Sequence, residues 1–155
     1  MLQLAFYKGP PADRWHSLSH RLTCFVTGSV YSHVELVING LCWSASPRDG
    51  GVRSKQVDLT SGRWDVITLT PVNQKTESDA LDWFRQHQGQ GYDWAGVLRF
   101  VLPFLPQRSD QWFCAEAVAA ALGLAHPAYW TPGMLSVSDN VPQLLKGTLA
   151  KEGTA

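Results

Sequence analysis

The sequence predicts an α+β domain, and three observations carry that prediction. Short runs rich in β-branched and aromatic residues recur between Leu2 and Thr70, separated by turn residues. Helical spacing of apolar residues takes over from Glu77 onward. The strands and helices are grouped instead of alternating one by one. Residues 1–155 are expected to form a single domain, because a chain of this length buries about two thirds of its unfolded surface around one core.

Taken in order, Leu2 to Tyr7 is a strand, closed by Gly9-Pro10-Pro11. A helix follows from Asp13, with Trp15, Leu18, Leu22 and Phe25 at helical spacing and Gly28-Ser29 as its stop. His33 to Ile38 reads as a strand, and Asn39-Gly40 is the strongest short hairpin signal, pairing it with Leu41 to Ser46. After the turn Pro47 to Gly51, Val52 to Val57 and Trp64 to Thr70 supply two more strands, so the middle of the chain is antiparallel sheet.

Ala80, Leu81, Trp83 and Phe84 mark a helix ending near Gly89. Trp94, Val97, Leu98 and Val101 mark a second, broken by Pro103 and Pro106. Trp112 to Leu122 is a third, with Gly123 at its C-terminal stop. The proline-rich tail is expected to be turns with one short helix around Gln143 to Lys146.

Composition excludes several functions. Thirteen basic and thirteen acidic residues cancel, so no overall field draws the chain to nucleic acid or an anionic membrane. No run approaches the roughly 18 apolar residues that span a bilayer, so no integral membrane segment is expected. The N-terminal residues lack the features of an export signal, which points to a cytoplasmic protein or one delivered by another route. Cys24, Cys42 and Cys114 are an odd set without a CxxC pair, arguing against a disulfide framework and a zinc ribbon. His16 and His20 lie four apart on the first helix, but no third ligand of suitable spacing accompanies them; the reading calls for no metal and no cofactor.

Cys114 is the main chemical candidate. It lies in the first turn of an alanine-rich helix, where unpaired N–H groups and the helix dipole favour a thiolate over a thiol. The plainer alternative is a buried space-filler beside Phe113 and Ala117. A thiol nucleophile also wants a base and a group that orients the base. Only His33, among five histidines, begins an apolar strand; taken alone, it reads equally as a satisfied histidine at a strand end.

The two-residue Asn39-Gly40 loop fixes a register. It pairs Ile38 with Leu41, Val37 with Cys42, Leu36 with Trp43, Glu35 with Ser44 and His33 with Ser46. Alternation then gathers His33, Glu35, Val37, Cys42, Ser44 and Ser46 on one face, leaving Val34, Leu36, Ile38, Leu41, Trp43 and Ala45 on the other. Glu35 is the charged candidate for orienting His33, about 7 Å along the same strand face, and Ser44 is the neutral one. Arg48 and Asp49, beside Gly50-Gly51, fit either a cleft rim or a solvated turn.

Three segments resemble the circularly permuted branch of the NlpC/P60 cysteine peptidase superfamily, a papain-like group that includes YiiX-like proteins and lecithin:retinol acyltransferase relatives. Tyr31-Ser32-His33-Val34-Glu35 is similar to its Ser-His-Val strand, and Gly91-Tyr92-Asp93-Trp94 to its Gly-x-Pro-Tyr-Asp segment. Phe113-Cys114-Ala115-Glu116 is similar to its Tyr/Phe-Cys-Ser-Glu helix start. The resemblance spans roughly residues 1 to 135. It implies a papain-like fold with Cys114 as nucleophile, His33 as base and Tyr92 in the substrate cleft. Two positions depart from the pattern: Ala115 stands where serine is usual, and the third polar residue, expected on the strand after the histidine, falls near Ser44.

The resulting expectation is a cysteine hydrolase that cleaves an amide bond in cell-wall peptidoglycan peptides through a thioester. Trp94 and Trp112 are then either cleft walls or core. The expected partner is a peptide or acyl substrate, and delivery by a phage virion or lysis route would bring the chain to a wall. A lipid acyltransferase or thioesterase would use the same residues with an apolar groove, and a ubiquitin-like isopeptidase would use them with a narrow one. A structural or binding protein would instead hold His33 and Cys114 too far apart to share a proton. Oligomeric state is not readable from the sequence.

Overall fold

The computed structural model describes residues 1–9, 14–70, 72–106 and 108–137. The element order is β1 (Leu2–Tyr7), α1 (Arg14–Thr27), β2 (His33–Ile38), β3 (Leu41–Ser46), β4 (Gly51–Lys55) and β5 (Trp64–Thr68). There follow α2 (Gln74–His87), β6 (Gly91–Tyr92), α3 (Trp94–Leu98), β7 (Gln111–Trp112), α4 (Cys114–Ala121), a 3₁₀ turn at Pro127–Tyr129 and α5 (Pro132–Val137). The expected helix at 143–146 lies outside the described residues.

The strands form one seven-stranded sheet in the order β5-β1-β2-β3-β4-β6-β7. Its first five strands are antiparallel, as expected, but β6 pairs with β7 in parallel, so the sheet is mixed. Those two strands have only two residues each, too short for any alternation to register. The fold is α+β.

Asn39 and Gly40 both take positive φ, 50° and 80°, the type I′ geometry whose twist matches the flanking strands. The register that follows is Ile38 with Leu41, Val37 with Cys42 and Leu36 with Trp43. The ladder ends there, short of the expected pairing of Glu35 with Ser44 and His33 with Ser46. At the next carbonyl, that of Val34, the donor is the Ser44 hydroxyl, 2.7 Å away, while Ser46 pairs with Gly51 on β4.

The two faces of the β2–β3 hairpin differ as alternation predicts. Val34, Leu36, Ile38, Trp43 and Ala45 join Leu2, Leu4, Phe6, Phe84 and α4 in the main core. Val37 and Cys42 sit with Ala5 in a smaller cluster flanked by Val57, Leu59 and Trp64. Helix α4 packs on β2, β3 and α2, and Ala115, Ala117 and Ala119 let its backbone approach the sheet closely; all three are fully buried. In α1 the helix forms as expected, but Leu22 and Phe25 are exposed, Phe25 at 82%. Their helical spacing reports a helix and not a buried stripe.

Gly51 joins the two halves of the sheet. A Cβ there would lie 1.9 Å from the Gln90 carbonyl oxygen, the acceptor for Val52 N–H at 2.8 Å. Only glycine allows β4 and β6 to close at this point.

Candidate active site

Strand pairing and helix packing bring the two halves of the site together. His33 is the first residue of β2, across from Tyr7 on β1. Cys114 is the first residue of α4, directly after β7. Its helix has no side-chain N-cap, since Phe113 precedes it, and the first intrahelical bond runs from Ala117 N–H to the Phe113 carbonyl. The N–H groups of the first turn therefore have no acceptor inside the helix. The Cys114 thiol is placed beside the His33 imidazole, whose protonation it favours through a hydrogen bond and its charge.

One ring nitrogen of His33 is taken by a carboxylate: Nε2 lies 2.8 Å from Glu35 Oε1. The Ser44 hydroxyl is occupied by the Val34 carbonyl, so Glu35 makes the contact that the sequence left open between the two. Glu35 is 1% exposed. A carboxylate at that depth is costly unless paired, and Arg53 on β4 pairs it twice, Nη1 to Oε2 at 2.6 Å and Nη2 to Oε1 at 2.6 Å. Arg53 Nε continues to Asp49 Oδ2 at 2.9 Å, and Lys55 Nζ reaches Asp49 Oδ1 at 3.2 Å.

Electrostatics follow this chain. Burial pushes His33 down, but the Glu35 charge, the Cys114 hydrogen bond and charge, and the Glu35 hydrogen bond outweigh it and raise the imidazole to about 9. Burial likewise pushes Glu35 up, and the Arg53 and His33 contacts more than reverse this, holding it below the usual carboxylate range. At neutral pH His33 is therefore an imidazolium backed by the Glu35 carboxylate.

A cavity of about 360 Å³ opens beside the dyad. Its lining includes the aromatic Tyr7, Trp64, Tyr92 and Trp94 and the charged Arg48, Asp49, Arg53, Lys55 and Asp58. Arg48 and Asp49 thus sit on a cleft rim. Cys114 is 2% exposed and does not itself line the space; the cleft meets it through His33, whose side chain is 18% exposed. Burial, with the Cys114 and Asp93 charges adding, keeps the Tyr92 phenol protonated well above its usual range. Trp94 stacks edge-on against Tyr92, with ring centroids 5.0 Å apart.

Trp112 does not line this cavity. Its indole N–H donates to Gln90 Oε1 at 2.6 Å, and the ring packs against Trp83 and His87. It lies on β7, and its ring is committed to the α2 side of the fold. Sequence reasoning missed Arg53, and gave Trp64 and His20 no place in the cleft. Arg53 faces Ser44 across the β3–β4 turn, and no short-loop rule fixed the register of that longer turn. His20 lines the cleft with Ser32, its Nδ1 2.6 Å from the Ser32 hydroxyl. The side chain of His16 lies outside the described residues. Among the described residues no group of three or more His, Cys, Asp or Glu could hold a metal ion. No described helix is long and apolar enough to cross a membrane.

The chain matches no protein-family model, and no curated protein is significantly similar to it.

Proposed function

We propose that this protein is a papain-like cysteine hydrolase of the permuted NlpC/P60 type, acting on an amide bond in cell-wall peptides. The observation that carries the reading is the continuous chain from the Cys114 thiol through His33 to Glu35. A thiol, an imidazole and an orienting carboxylate in that order are the parts nucleophilic acyl transfer needs. A binding protein would have no use for a proton-sharing Cys–His pair tied to a buried carboxylate.

In the proposed reaction the thiol proton resides on His33 and the Cys114 sulfur attacks the carbonyl carbon. The N–H groups at the start of α4 receive the oxyanion. The protonated Tyr92 phenol in the cleft is a further donor on the substrate's side. The C–N bond then breaks, and the departing amine takes the proton from the imidazolium. Water, deprotonated by neutral His33, hydrolyses the thioester and restores the thiol.

The cleft lining supports a peptide over a lipid. An acyl chain wants an apolar groove, whereas Arg48, Asp49, Arg53, Lys55 and Asp58 line this one beside the aromatic rings. Backbone amides and free carboxyl or amino groups of a peptide suit such a mixed lining.

Incubating the protein with purified peptidoglycan and with soluble stem peptides, and identifying new amines by mass spectrometry, tests the reading. Cleavage is expected from the wild type and is expected to fall by on the order of 10⁴-fold or more in Cys114→Ala and His33→Ala. Undiminished cleavage by Cys114→Ala would falsify it.

A further inference from the structure

We propose that Arg53, held in place by Asp49, is a positioning residue that locks Glu35 in the orientation holding the His33 imidazole against Cys114. The inference rests on the reading of Cys114 and His33 as the reacting pair. It adds a device that pair does not supply by itself.

His33 contacts only one oxygen of Glu35. A carboxylate held at one point can rotate about its terminal bond, and the imidazole would follow it. Arg53 removes that freedom with two parallel N–H···O contacts, one to each oxygen, at 2.6 Å. A planar fork fixes the carboxylate plane; a lysine ammonium at the same place would supply charge without fixing the plane.

Arg53 itself lines the cleft with its side chain 14% exposed, so an unsecured guanidinium could swing toward solvent. Asp49 prevents this by accepting from Nε, leaving both Nη groups directed at Glu35. Lys55 in turn occupies the other oxygen of Asp49. Ser44 completes the arrangement. It stands opposite Arg53 in the β3–β4 pairing, fully buried, with its hydroxyl turned to Val34. A small residue there lets the arginine reach across β3 to a carboxylate on β2, two strands away or roughly 10 Å at the usual strand spacing.

Every element packed around the clamp contributes a group. His33 and Glu35 come from β2, Cys42 from β3, Arg53 and Lys55 from β4, Tyr7 from β1, Tyr92 and Asp93 from the β6 segment, and Cys114 from α4. Arg53 is the cation among them that touches Glu35 without touching the reacting thiol.

The test is chemical rescue. In Arg53→Ala, kcat toward stem peptides and the rate of Cys114 alkylation by iodoacetamide are both expected to fall, on the order of 10²-fold for a misplaced base. KM is free to change as well, because Arg53 also lines the cleft, so the clamp is read from kcat and from the substrate-free alkylation rate. Ethylguanidinium at non-denaturing concentration should restore both rates in part, ethylammonium neither, and Arg53→Lys should behave like Arg53→Ala. Equal rescue by ethylammonium, or a fully active Arg53→Lys, overturns the proposal in favour of charge alone. No rescue in a protein with native near-UV circular dichroism overturns it in favour of a structural role.

If Arg53→Ala does not fold, Asp49→Asn takes its place. A several-fold fall in alkylation rate with native circular dichroism supports the clamp, and a wild-type rate overturns it. Alkylation needs no substrate. A wild type that cleaves nothing while the alkylation pattern holds sinks the hydrolase reading and leaves the clamp standing.

Discussion

The two faces of the β2–β3 hairpin are both buried at their centres and chemically opposite. On one, Val34, Leu36 and Ala45 lie against α4 with no exposure at all; on the other, Glu35 and Ser44 are just as deeply buried. The first face is held by the removal of apolar surface from water. The second is held by closing every polar valence internally, from thiol to imidazole, carboxylate, guanidinium and a second carboxylate. Burial alone therefore does not separate the structural face from the chemical one. What the buried groups are bonded to does.

The two cysteines make the same point. Cys42 and Cys114 are exposed by 1% and 2%. Burial and the neighbouring Glu35 charge push the Cys42 thiol up to about 11, whereas Cys114 has an imidazole as its hydrogen-bond partner.

Breaking the polar face has the largest expected effect. Glu35→Gln should lower kcat/KM by on the order of 10³-fold or more, as loss of an orienting carboxylate does in related hydrolytic triads. The pH profile should change with it. With His33 raised to about 9, the proposed activity is expected to need the imidazolium and to be lost as pH rises through about 9. Removing the Glu35 charge brings that alkaline limb down toward the ordinary histidine value of about 6.5. The raised value also stabilises the fold, a contribution complete below about 6.5 and lost through about 9. An unmoved alkaline limb in Glu35→Gln would show that the carboxylate does not govern the base.

Breaking the apolar face at the adjacent residue should do the opposite. Leu36→Ala is expected to cost about 2–5 kcal/mol in denaturant unfolding, yet leave the alkaline limb where it was. A moved limb would mean that packing, too, sets the protonation of His33.

A smaller effect separates the thiols. At pH 8, iodoacetamide should label Cys114 about tenfold or more faster than Cys42, despite their equal burial; peptide mapping after partial labelling reads this directly. The smallest concerns the turn that sets which residue faces which side. Gly40 has a φ of 80°, and Gly40→Ala should cost about 1 kcal/mol in thermal unfolding without altering the labelling order.

The sequence was most legible where one local rule fixed a geometry. Asn39-Gly40 gave the turn and with it the register of three pairs and the identity of both faces. Glu35 could be named as an orienting group but not chosen over Ser44, because the choice depends on where the ladder ends, and that is settled by a side-chain hydroxyl bonding a carbonyl. Arg53 was invisible for a different reason. Its partner lies two strands away, across a turn too long for a register rule. Trp94 and Trp112 look alike in sequence, and only the partners of each ring, Tyr92 at the cleft and Trp83 on α2, separate them.

The seam at Gly51 has a consequence in time. His33, Glu35 and Arg53 all lie on strands completed by residue 55. Cys114 lies on the far side of the Gly51–Gln90 closure, more than fifty residues later in synthesis. Cys24 and Cys42 are made before that block is complete, so the thiol placed beside His33 is the last of the three to leave the ribosome. The pair of His33 and Cys114 draws one member from each side of the seam, so a change at Gly51 is expected to reach it without touching either residue.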